Sequence, residues 1–573
     1  MRYHIVPLLV LFAAFSHLNL GTAVAAQPGV YFSPHNFSAS RQAGDPSYGS
    51  SEERLCVFCH IPHHASNLEG PLWSRGTSNQ DNYKMYESPT MTATVNLIPT
   101  GASRLCLSCH DGTIAVGALQ GGVIVSPAPP VQGNARLALP DAGGRNDLSG
   151  DHPISFTYPF KAELTPPSGI QRPVALSPGN RMECTACHNP HDNQNGKFLV
   201  LSNLDGAQLC TACHLTPGWM TVPYSVHKTA IMQGNQGCGT CHQSHKAPGQ
   251  QYTLKNGPEE NNCLTAACHS SVAAAFTGSI YNHPVINQDN LVHKPNESLP
   301  VSQKHVKCVD CHSPHQANKL PLPNPAPLTP RVISSNGPLS GVRGVSRGGV
   351  EVAPAQYEYE VCFRCHSGGT AFTFIGQYGP SPLLPSRLVN DPNQVNRFAP
   401  MNPSFHPVIE VTRQPASSYS VQSLIDSTAN QIIYCSGCHS SHSSPYPHLL
   451  RDRYETLSLP ENSSSKYALC FRCHKDTFSG SGFPYHDAHV YPTQPGRQPV
   501  PCSACHDPHG VSSAMGGTPA HNAHLINFDR NLLPSDPGLP AEVQSYTSLG
   551  SGHGSCTVSC HTTGSPSKYT HAY

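Results

Sequence analysis

Every cysteine in this sequence belongs to a pair that is followed at once by histidine, and no other feature constrains the chain as strongly. Of the 24 Cys, 20 form ten C-x-x-C-H motifs. Two more pairs are stretched, with four residues between Cys263 and Cys268 and three between Cys556 and Cys560. The pairs with their closing His are Cys56/Cys59/His60, Cys106/Cys109/His110, Cys184/Cys187/His188, Cys210/Cys213/His214, Cys238/Cys241/His242, Cys263/Cys268/His269, Cys308/Cys311/His312, Cys362/Cys365/His366, Cys435/Cys438/His439, Cys470/Cys473/His474, Cys502/Cys505/His506 and Cys556/Cys560/His561.

This motif is typical of covalent haem attachment. Two thiols about one turn apart can each form a thioether to a haem vinyl group, while the adjacent His binds the iron. A disulfide framework would not place His after the second Cys of every pair, and structural zinc sites would not need it every time. We therefore predict twelve haem c groups, attached to the twelve Cys pairs, with the closing His as proximal iron ligands.

The other histidines follow the same phase and predict a second ligand for each iron. Each odd-numbered motif carries another His three residues after its proximal His, and the even-numbered motifs carry none: His63, His191, His245, His315, His442 and His509. The segment ahead of each odd motif supplies one further candidate: His35, His152, His227, His283, His406, and either His486 or His489, of which His489 is our choice. Six and six make one distal ligand for each of twelve haems.

The spacing of the motifs indicates a duplication. Counted from Cys56, the next five motifs begin 50, 128, 154, 182 and 207 residues later; counted from Cys308, they begin 54, 127, 162, 194 and 248 residues later. Each stretched motif closes its series. We predict six two-haem repeats in two halves, residues 27–275 and 276–573.

The expected fold is mostly irregular chain with short helices around a core of haem. Each haem owns about 45 residues, too few for a private domain. The chain has 56 Pro and 47 Gly, which disfavour long regular elements. We expect a short helix around Tyr467 to Cys473, and loops at residues 126–133 and 320–349.

The extension C-H-x-P-H at His188 to His191, His312 to His315 and His506 to His509 resembles the doubled-CxxCH family of bacterial multihaem cytochromes c. The resemblance implies electron transfer, with the proximal and distal His named above as ligands. It also implies as partners other redox proteins, outer-membrane conduit components or metal oxide surfaces. The two stretched motifs depart from the family's usual spacing.

Residues 1–26 have the pattern of a secretory signal, with Arg2, an apolar stretch and a small-residue site at Ala23 to Ala25. We expect an exported protein of the periplasm or cell exterior, with association with the outer membrane left open and no transmembrane helix in the mature chain. No Cys near that site would carry a lipid anchor.

The 34 Lys and Arg balance the 34 Asp and Glu, which argues against nucleic-acid binding. Ionised haem propionates would make the loaded protein anionic, by about one charge per oxidised haem.

Saturated irons favour an electron conductor and not an enzyme. Two alternatives stay open: a reductase of a nitrogen or sulfur oxyanion, which needs an iron without a distal ligand, and a haem filament formed by self-assembly. A filament could use a terminal His, such as His35 or His571, as a ligand in a neighbouring molecule.

Overall fold

The structure is a computed structural model, and it describes most of residues 29–557 as short elements joined by irregular segments. Within that span, the residues outside the description are 41–47, 67–69, 71, 78–80, 126–128, 203–206, 222–223, 229–236, 250, 266–267, 287–295, 302–304, 319–336, 369–384, 411–432, 456–463, 475–485, 491–498, 533–544 and 551–552. The predicted signal, Cys560, His561 and His571 therefore lie outside the described residues.

The helices of the described residues are short; five of the eleven contain a whole Cys-x-x-Cys segment, and two more contain its first Cys. The longest, α1, has ten residues and ends on the proximal His110. The helix expected near Tyr467 is confirmed as α8. The α-helices are α1 Gly101–His110, α2 Gln208–Thr211, α3 Ser270–Gly278, α4 Cys308–Cys311, α5 Glu358–His366, α6 Gln394–Arg397, α7 Cys435–Cys438, α8 Ala468–Phe471, α9 His486–Val490, α10 Cys502–Cys505 and α11 Pro519–Asn522.

The strands are mostly two residues long and form small pairs. β3 lies between β1 and β2, and the other pairs are β4 with β5, β6 with β10, β7 with β8, β9 with β11, and β12 with β13. The strands are β1 Tyr83–Lys84, β2 Leu139–Pro140, β3 Asn146–Asp147, β4 Phe156–Thr157, β5 Arg181–Met182, β6 Tyr281–Asn282, β7 Gly344–Val345, β8 Glu351–Val352, β9 Ser404–Phe405, β10 Ser443–Ser444, β11 Gly510–Val511, β12 Ser545–Gly550 and β13 His553–Thr557.

Two of these pairs join segments that carry predicted distal ligands. In β6 with β10, Asn282 pairs with Ser443, which places His283 beside His442. In β9 with β11, Phe405 pairs with Gly510, so His406 lies beside His509 in the same way.

Single backbone hydrogen bonds join segments that carry predicted distal ligands in two further places. The N–H of His152 donates to the carbonyl of Ser244 at 2.8 Å, and the N–H of Val226 donates to the carbonyl of Ala317 at 3.0 Å. A predicted upstream ligand thus lies next to a predicted extension ligand of a later motif in each of these four places.

The apolar core is divided into small clusters that touch the cysteine pairs. One contains Phe58 and Val116 and packs on Cys59 and Cys109. Others pack on Cys213, on Cys311, on Cys435, and on Cys505 with Cys556. The expectation of a mostly irregular fold with short helices is confirmed, and these clusters are grouped around the sites where haem is predicted to attach.

Contacts cross the predicted boundary between the two halves. Lys307, 3% exposed, forms an ion pair of 3.1 Å with Glu260, 4% exposed. The backbone N–H of Lys307 also donates to Asp310 at 2.7 Å. The division at residue 275 stays a prediction, and the two segments on either side of it share buried charges. Among the described helices, none has the length and apolar character needed to cross a membrane.

The Lys307–Glu260 pair gives a first test of this packing. Removing one partner of a buried ion pair leaves the other charge unpaired, which costs about 3–5 kcal/mol. We expect Glu260→Ala to lower the thermal unfolding midpoint clearly. Arg54→Ala, which removes one member of an exposed pair with Glu52, should change it little. Equal midpoints for the two variants, measured by differential scanning calorimetry, would contradict the packing described here.

Candidate haem centres

Most of the described cysteine pairs share one backbone hydrogen bond, which turns the closing His back onto the first Cys. The N–H of His60 donates to the carbonyl of Cys56 at 2.8 Å, and the same hydrogen bond closes the pairs at His188, His214, His242, His312, His439, His474 and His506. In the stretched motif, the N–H of His269 donates to the carbonyl of Cys263 at 3.2 Å. His269 therefore keeps the same hydrogen bond to the first Cys of its pair, although two more residues separate the two Cys.

In the part of the chain that the structure describes, ten pairs of imidazole rings face each other at nearly constant separation, with ring centroids 5.9–6.3 Å apart. In each pair, one ring belongs to a predicted proximal His. The pairs are His35–His110, His60–His191, His152–His214, His188–His245, His227–His269, His242–His315, His312–His442, His406–His474, His439–His509 and His486–His506.

This separation leaves space for one metal ion between the rings. Two imidazoles bound to opposite sides of an ion, with metal–nitrogen distances of about 2.0 Å, hold their centres about 6 Å apart. The other aromatic ring pairs of the described residues are spread over 4.2–6.4 Å, from His35 and Phe198 at 4.2 Å to Phe363 and Phe398 at 6.4 Å. The narrow range of the ten separations fits a bis-histidine iron better than packing between rings.

Nine of the ten pairs follow one rule along the chain, and His486–His506 is the exception, because His486 faces the proximal His of the odd motif that it precedes. The extension His of an odd motif faces the proximal His of the preceding odd motif, as His191 faces His60 and His245 faces His188. The upstream His faces the proximal His of the even motif in its own repeat, as His35 faces His110. The sequence did not say which distal His faces which proximal His, and the structure supplies that pairing.

A backbone carbonyl fixes the orientation of many proximal rings. Nδ1 of His188 lies 2.9 Å from the carbonyl oxygen of Lys197, and His242, His439 and His506 make the same contact with later carbonyls. An Nδ1–H donor in this position leaves Nε2 as the lone-pair nitrogen for a metal.

The carbonyls that receive these bonds lie on short return loops. Each loop passes back beside its own cysteine pair and forms an isolated β-bridge with the proximal His, as Leu199 does with His188 and Leu450 with His439. The residues just before the bridge have positive φ, including His448 at 57° and His524 at 58°. These two histidines, which the sequence left without a role, contribute backbone carbonyls. A Leu or Ile 11 to 20 residues after the proximal His was the signal that could have found the loops.

The distal rings are oriented in the same manner. Nδ1 of His227 lies 2.7 Å from the carbonyl of Pro314 and Nδ1 of His283 lies 2.5 Å from that of Ser441. His245 differs, because its Nδ1 lies 2.7 Å from the carboxylate of Asp151, which is 5% exposed. Asp151 was not predicted from the sequence as part of a site.

Burial keeps several of the paired imidazoles neutral near pH 7. Together with smaller contributions from neighbouring His rings, it lowers the pKa of His152, His315 and His474 to about 4. A neutral imidazole is the form that binds a metal ion. The arrangement therefore fits the ligand chemistry of haem iron: these three rings are neutral, the paired rings lie about 6 Å apart, and a pair of thiols precedes each proximal His.

The structure distinguishes the two histidines ahead of the eleventh motif. The ring of His486 faces that of His506, at 6.1 Å, and the choice of His489 as a distal ligand stays a prediction. Both lie on α9, where residues three apart share a face, so the sequence spacing alone did not separate them.

The eighth pair lies in a longer helix than most of the others. Cys362, Cys365 and the closing His366 occupy the second half of α5. Cys365 is half-buried. Burial raises the pKa of Cys311 in the seventh pair, and the thiols of Cys362 and Cys365 raise it further. The structure thus places Cys365 beside the seventh attachment site, but this packing does not confirm that Cys365 attaches haem, which stays a prediction together with the distal ligand of that iron.

The remaining predicted ligands are placed less completely. His63 is exposed, and His283 has the carbonyl contact of a distal ligand. His561 lies outside the described residues.

One histidine that the sequence left aside is a further distal candidate. Nδ1 of His521 lies 2.8 Å from the carbonyl of Tyr546, and Tyr546 pairs with Cys556 in the hairpin of β12 and β13. His521 is therefore near the last motif.

The comparison with protein families agrees with these motifs. A family model described as the doubled CXXCH motif matches residues 177–216 and 429–478. Both regions are thus similar to the doubled CXXCH motif, and this motif implies covalently bound haem c. The resemblance of the sequence to the doubled-CxxCH family is confirmed. No curated protein matches the chain.

The choice between the two histidines of α9 can be tested directly. We expect His486→Ala to create a high-spin ferric signal in electron paramagnetic resonance, because it removes the ring facing His506. His489→Ala is the matched control and should not remove a ligand from that iron. A high-spin signal in the His489 variant alone would reverse the assignment.

Asp151 offers a second test. Its carboxylate makes the His245 ring more electron-donating, which stabilises ferric iron. Asp151→Asn should therefore raise the reduction potential of one haem in a spectroelectrochemical titration, with the haem count unchanged. Asp192→Asn is the control, at a half-buried position directly after His191 where the carboxylate accepts a hydrogen bond from the backbone N–H of Gln194. A fall in potential in the Asp151 variant would contradict the role given to this carboxylate.

Proposed function

We propose that this protein is a dodecahaem c-type cytochrome that conducts electrons along a chain of bis-histidine haems, and that it is not an enzyme. The observation that carries the proposal is the set of ten facing imidazole pairs, each containing one proximal His. Bound haem c supplies an iron that takes up and releases one electron. A protein that fills both axial positions with its own imidazoles leaves that iron no position for a substrate.

The order of the cysteine pairs supports a continuous path. The first thiols of pairs 2 and 3, Cys106 and Cys184, share a hydrogen bond, which with burial raises the pKa of Cys106. Cys210 and Cys238 of pairs 4 and 5 do likewise.

The same contact recurs further along the chain. It joins Cys263 with Cys308 and Cys362 with Cys435. The end of one repeat therefore touches the beginning of the next at four junctions.

Within the repeats, the second thiol of an odd pair lies close to the even pair. Burial, and after it the nearby thiol of Cys109, raises the pKa of Cys59 to about 12. Cys213 acts in the same way on Cys187, as Cys365 does on Cys311 in the fourth repeat. Attachment sites that are consecutive in the sequence are thus close in space. An electron can therefore pass from each haem to the next in the order of the motifs.

The setting of this conduction follows from the sequence. A signal at residues 1–26 supports export to the periplasm or the cell exterior, and association with the outer membrane is part of the same proposal. Loaded with haem, the neutral polypeptide becomes anionic. We infer cationic faces on redox partners, on outer-membrane conduit components or on metal oxides as the surfaces that exchange electrons with it.

Haem content tests the number of sites. A pyridine haemochrome assay against protein mass should give twelve haems per chain, because all 24 Cys are in pairs. Ten would mean that the stretched pairs at Cys263 and Cys556 do not attach haem. A much lower number would overturn the proposal.

Ligation tests the mechanism. The oxidised protein should be low-spin throughout, and the dithionite-reduced protein should bind little carbon monoxide at neutral pH. His152→Ala and His406→Ala should each open one iron and produce a high-spin signal. An intrinsic high-spin haem, with turnover of nitrite, hydroxylamine or a sulfur oxyanion, would favour a reductase instead.

A further inference from the structure

Arg75 is a buried cation whose hydrogen bonds go to neutral acceptors. It is 1% exposed and is among the largest fully buried side chains of the described residues. Its Nη1 donates to the carbonyl oxygens of Phe58, at 3.3 Å, and Val116, at 2.5 Å, and its Nη2 donates to that of Ala115. Within the described part of the chain, no carboxylate forms an ion pair with this guanidinium.

These acceptors place the charge between the first two haem attachment sites. Phe58 lies inside the pair Cys56/Cys59, and Ala115 and Val116 follow His110 of the second pair. Burial raises the pKa of the Cys59 and Cys109 thiols, and the positive charge of Arg75 opposes that rise at both.

Glu183 is a buried carboxylate beside the second and third attachment sites. It is 1% exposed, and its oxygens accept hydrogen bonds from the hydroxyls of Ser103, at 2.5 Å, and Thr100, at 3.0 Å. It directly precedes Cys184, whose thiol forms a hydrogen bond with that of Cys106.

The nearest cation does not neutralise Glu183 fully. Nε of Arg181 lies 3.3 Å from one carboxylate oxygen, and the Arg181 side chain is 28% exposed. Part of its charge is therefore screened by solvent.

A buried charge shifts the potential of a nearby redox centre according to its sign. Reduction adds one negative charge to a haem, and the interaction with a fixed charge is strong where the dielectric constant is low. A cation therefore stabilises the reduced form and an anion stabilises the oxidised form.

We propose that Arg75 and Glu183 create a step in reduction potential within the first repeat, so that an electron settles at the haem attached to Cys56 and Cys59. Arg75, which lies between the first two sites, raises the potential at both, and Glu183 lowers it at the second and third, so the potential is highest at the first. The transfer is a one-electron exchange: a ferrous iron at the second or third site becomes ferric, the ferric iron at the first site becomes ferrous, and no proton is consumed. The inference rests on the proposed function and adds a direction of electron transfer to it.

Comparison with the seventh pair shows that the unpaired charge of Arg75, and not only the contact of an arginine with a cysteine pair, distinguishes the first site. Nη1 of Arg364 donates to the carbonyl of Asp310, inside the pair Cys308/Cys311, much as Arg75 does at Phe58. Arg364 also forms ion pairs with Glu297, at 2.8 Å, and with the Asp310 carboxylate, at 3.1 Å. Its charge is balanced, so the same potential step is not expected at that site.

The test is a spectroelectrochemical titration of the full-length haem-loaded protein. Arg75→Met should shift the titration curve to lower potential, and Glu183→Gln, which keeps the shape of the side chain, should shift it to higher potential. Arg75→Lys, which keeps the charge, should restore most of the wild-type curve. Arg54→Met is the control: Arg54 lies two residues before Cys56, but it is 73% exposed and paired with Glu52, so solvent should screen its loss.

Haem count and spin state are measured on every variant. If the wild-type protein has twelve low-spin haems and the Arg75 and Glu183 variants leave the curve unchanged or shift it with the opposite sign, this inference is wrong while the proposed function stands. A wild-type protein with few haems or an open iron contradicts the proposed function itself. If Arg75→Met fails to bind a full set of haems, Arg75→Lys and Glu183→Gln decide, and a Glu183→Gln curve that does not move upward overturns the proposal.

Discussion

The distance of about 6 Å between the ring centres of facing imidazoles is the constraint on which the rest of this fold depends. The two rings of a pair are often far apart in sequence: His60 faces His191, and His312 faces His442. Strand pairs of two residues and clusters of a few apolar side chains bury too little surface to close such long loops by themselves. Metal ligation contributes directly to folding free energy, so we regard iron binding as the interaction that holds these distant segments together.

The irregular chain around the pairs is ordered by hydrogen bonds between side chains and backbone. Residues such as Lys197, Tyr252 and His448 have positive φ, a conformation that costs non-glycine residues about 1–2 kcal/mol. At each of these residues, the carbonyl accepts the Nδ1 contact of a proximal His. The strain therefore lies where it orients an imidazole, which explains why long helices or sheets are not needed to position the ligands.

The sequence predicted the chemistry of the sites better than their connections. The Cys-His motifs and the phase of the second His named most of the rings that face each other, because ligand identity and spacing follow from covalent and coordination geometry. The partner of each ring depends on how loops return, and residues such as Leu199 and Ile526 carry no ligand signal. His486 and His489 share one face of α9, so only the orientation of the helix separates them. Arg75 and Asp151 were missed because their roles depend on burial, which a single position in a sequence does not show.

The pairing rule also makes the repeats interdependent. His245 belongs by sequence to the fifth motif but faces the proximal His of the third, and His315 of the seventh motif faces His242 of the fifth. Each repeat thus supplies a ligand to the one before it, as in solenoid proteins whose units are stabilised by their nearest neighbours. The contact between His242 and His315 crosses the predicted boundary between the two halves. A duplication visible in motif spacing is therefore compatible with a chain that ligates its haems continuously, because the unit of sequence repetition and the unit of ligation are offset by one repeat.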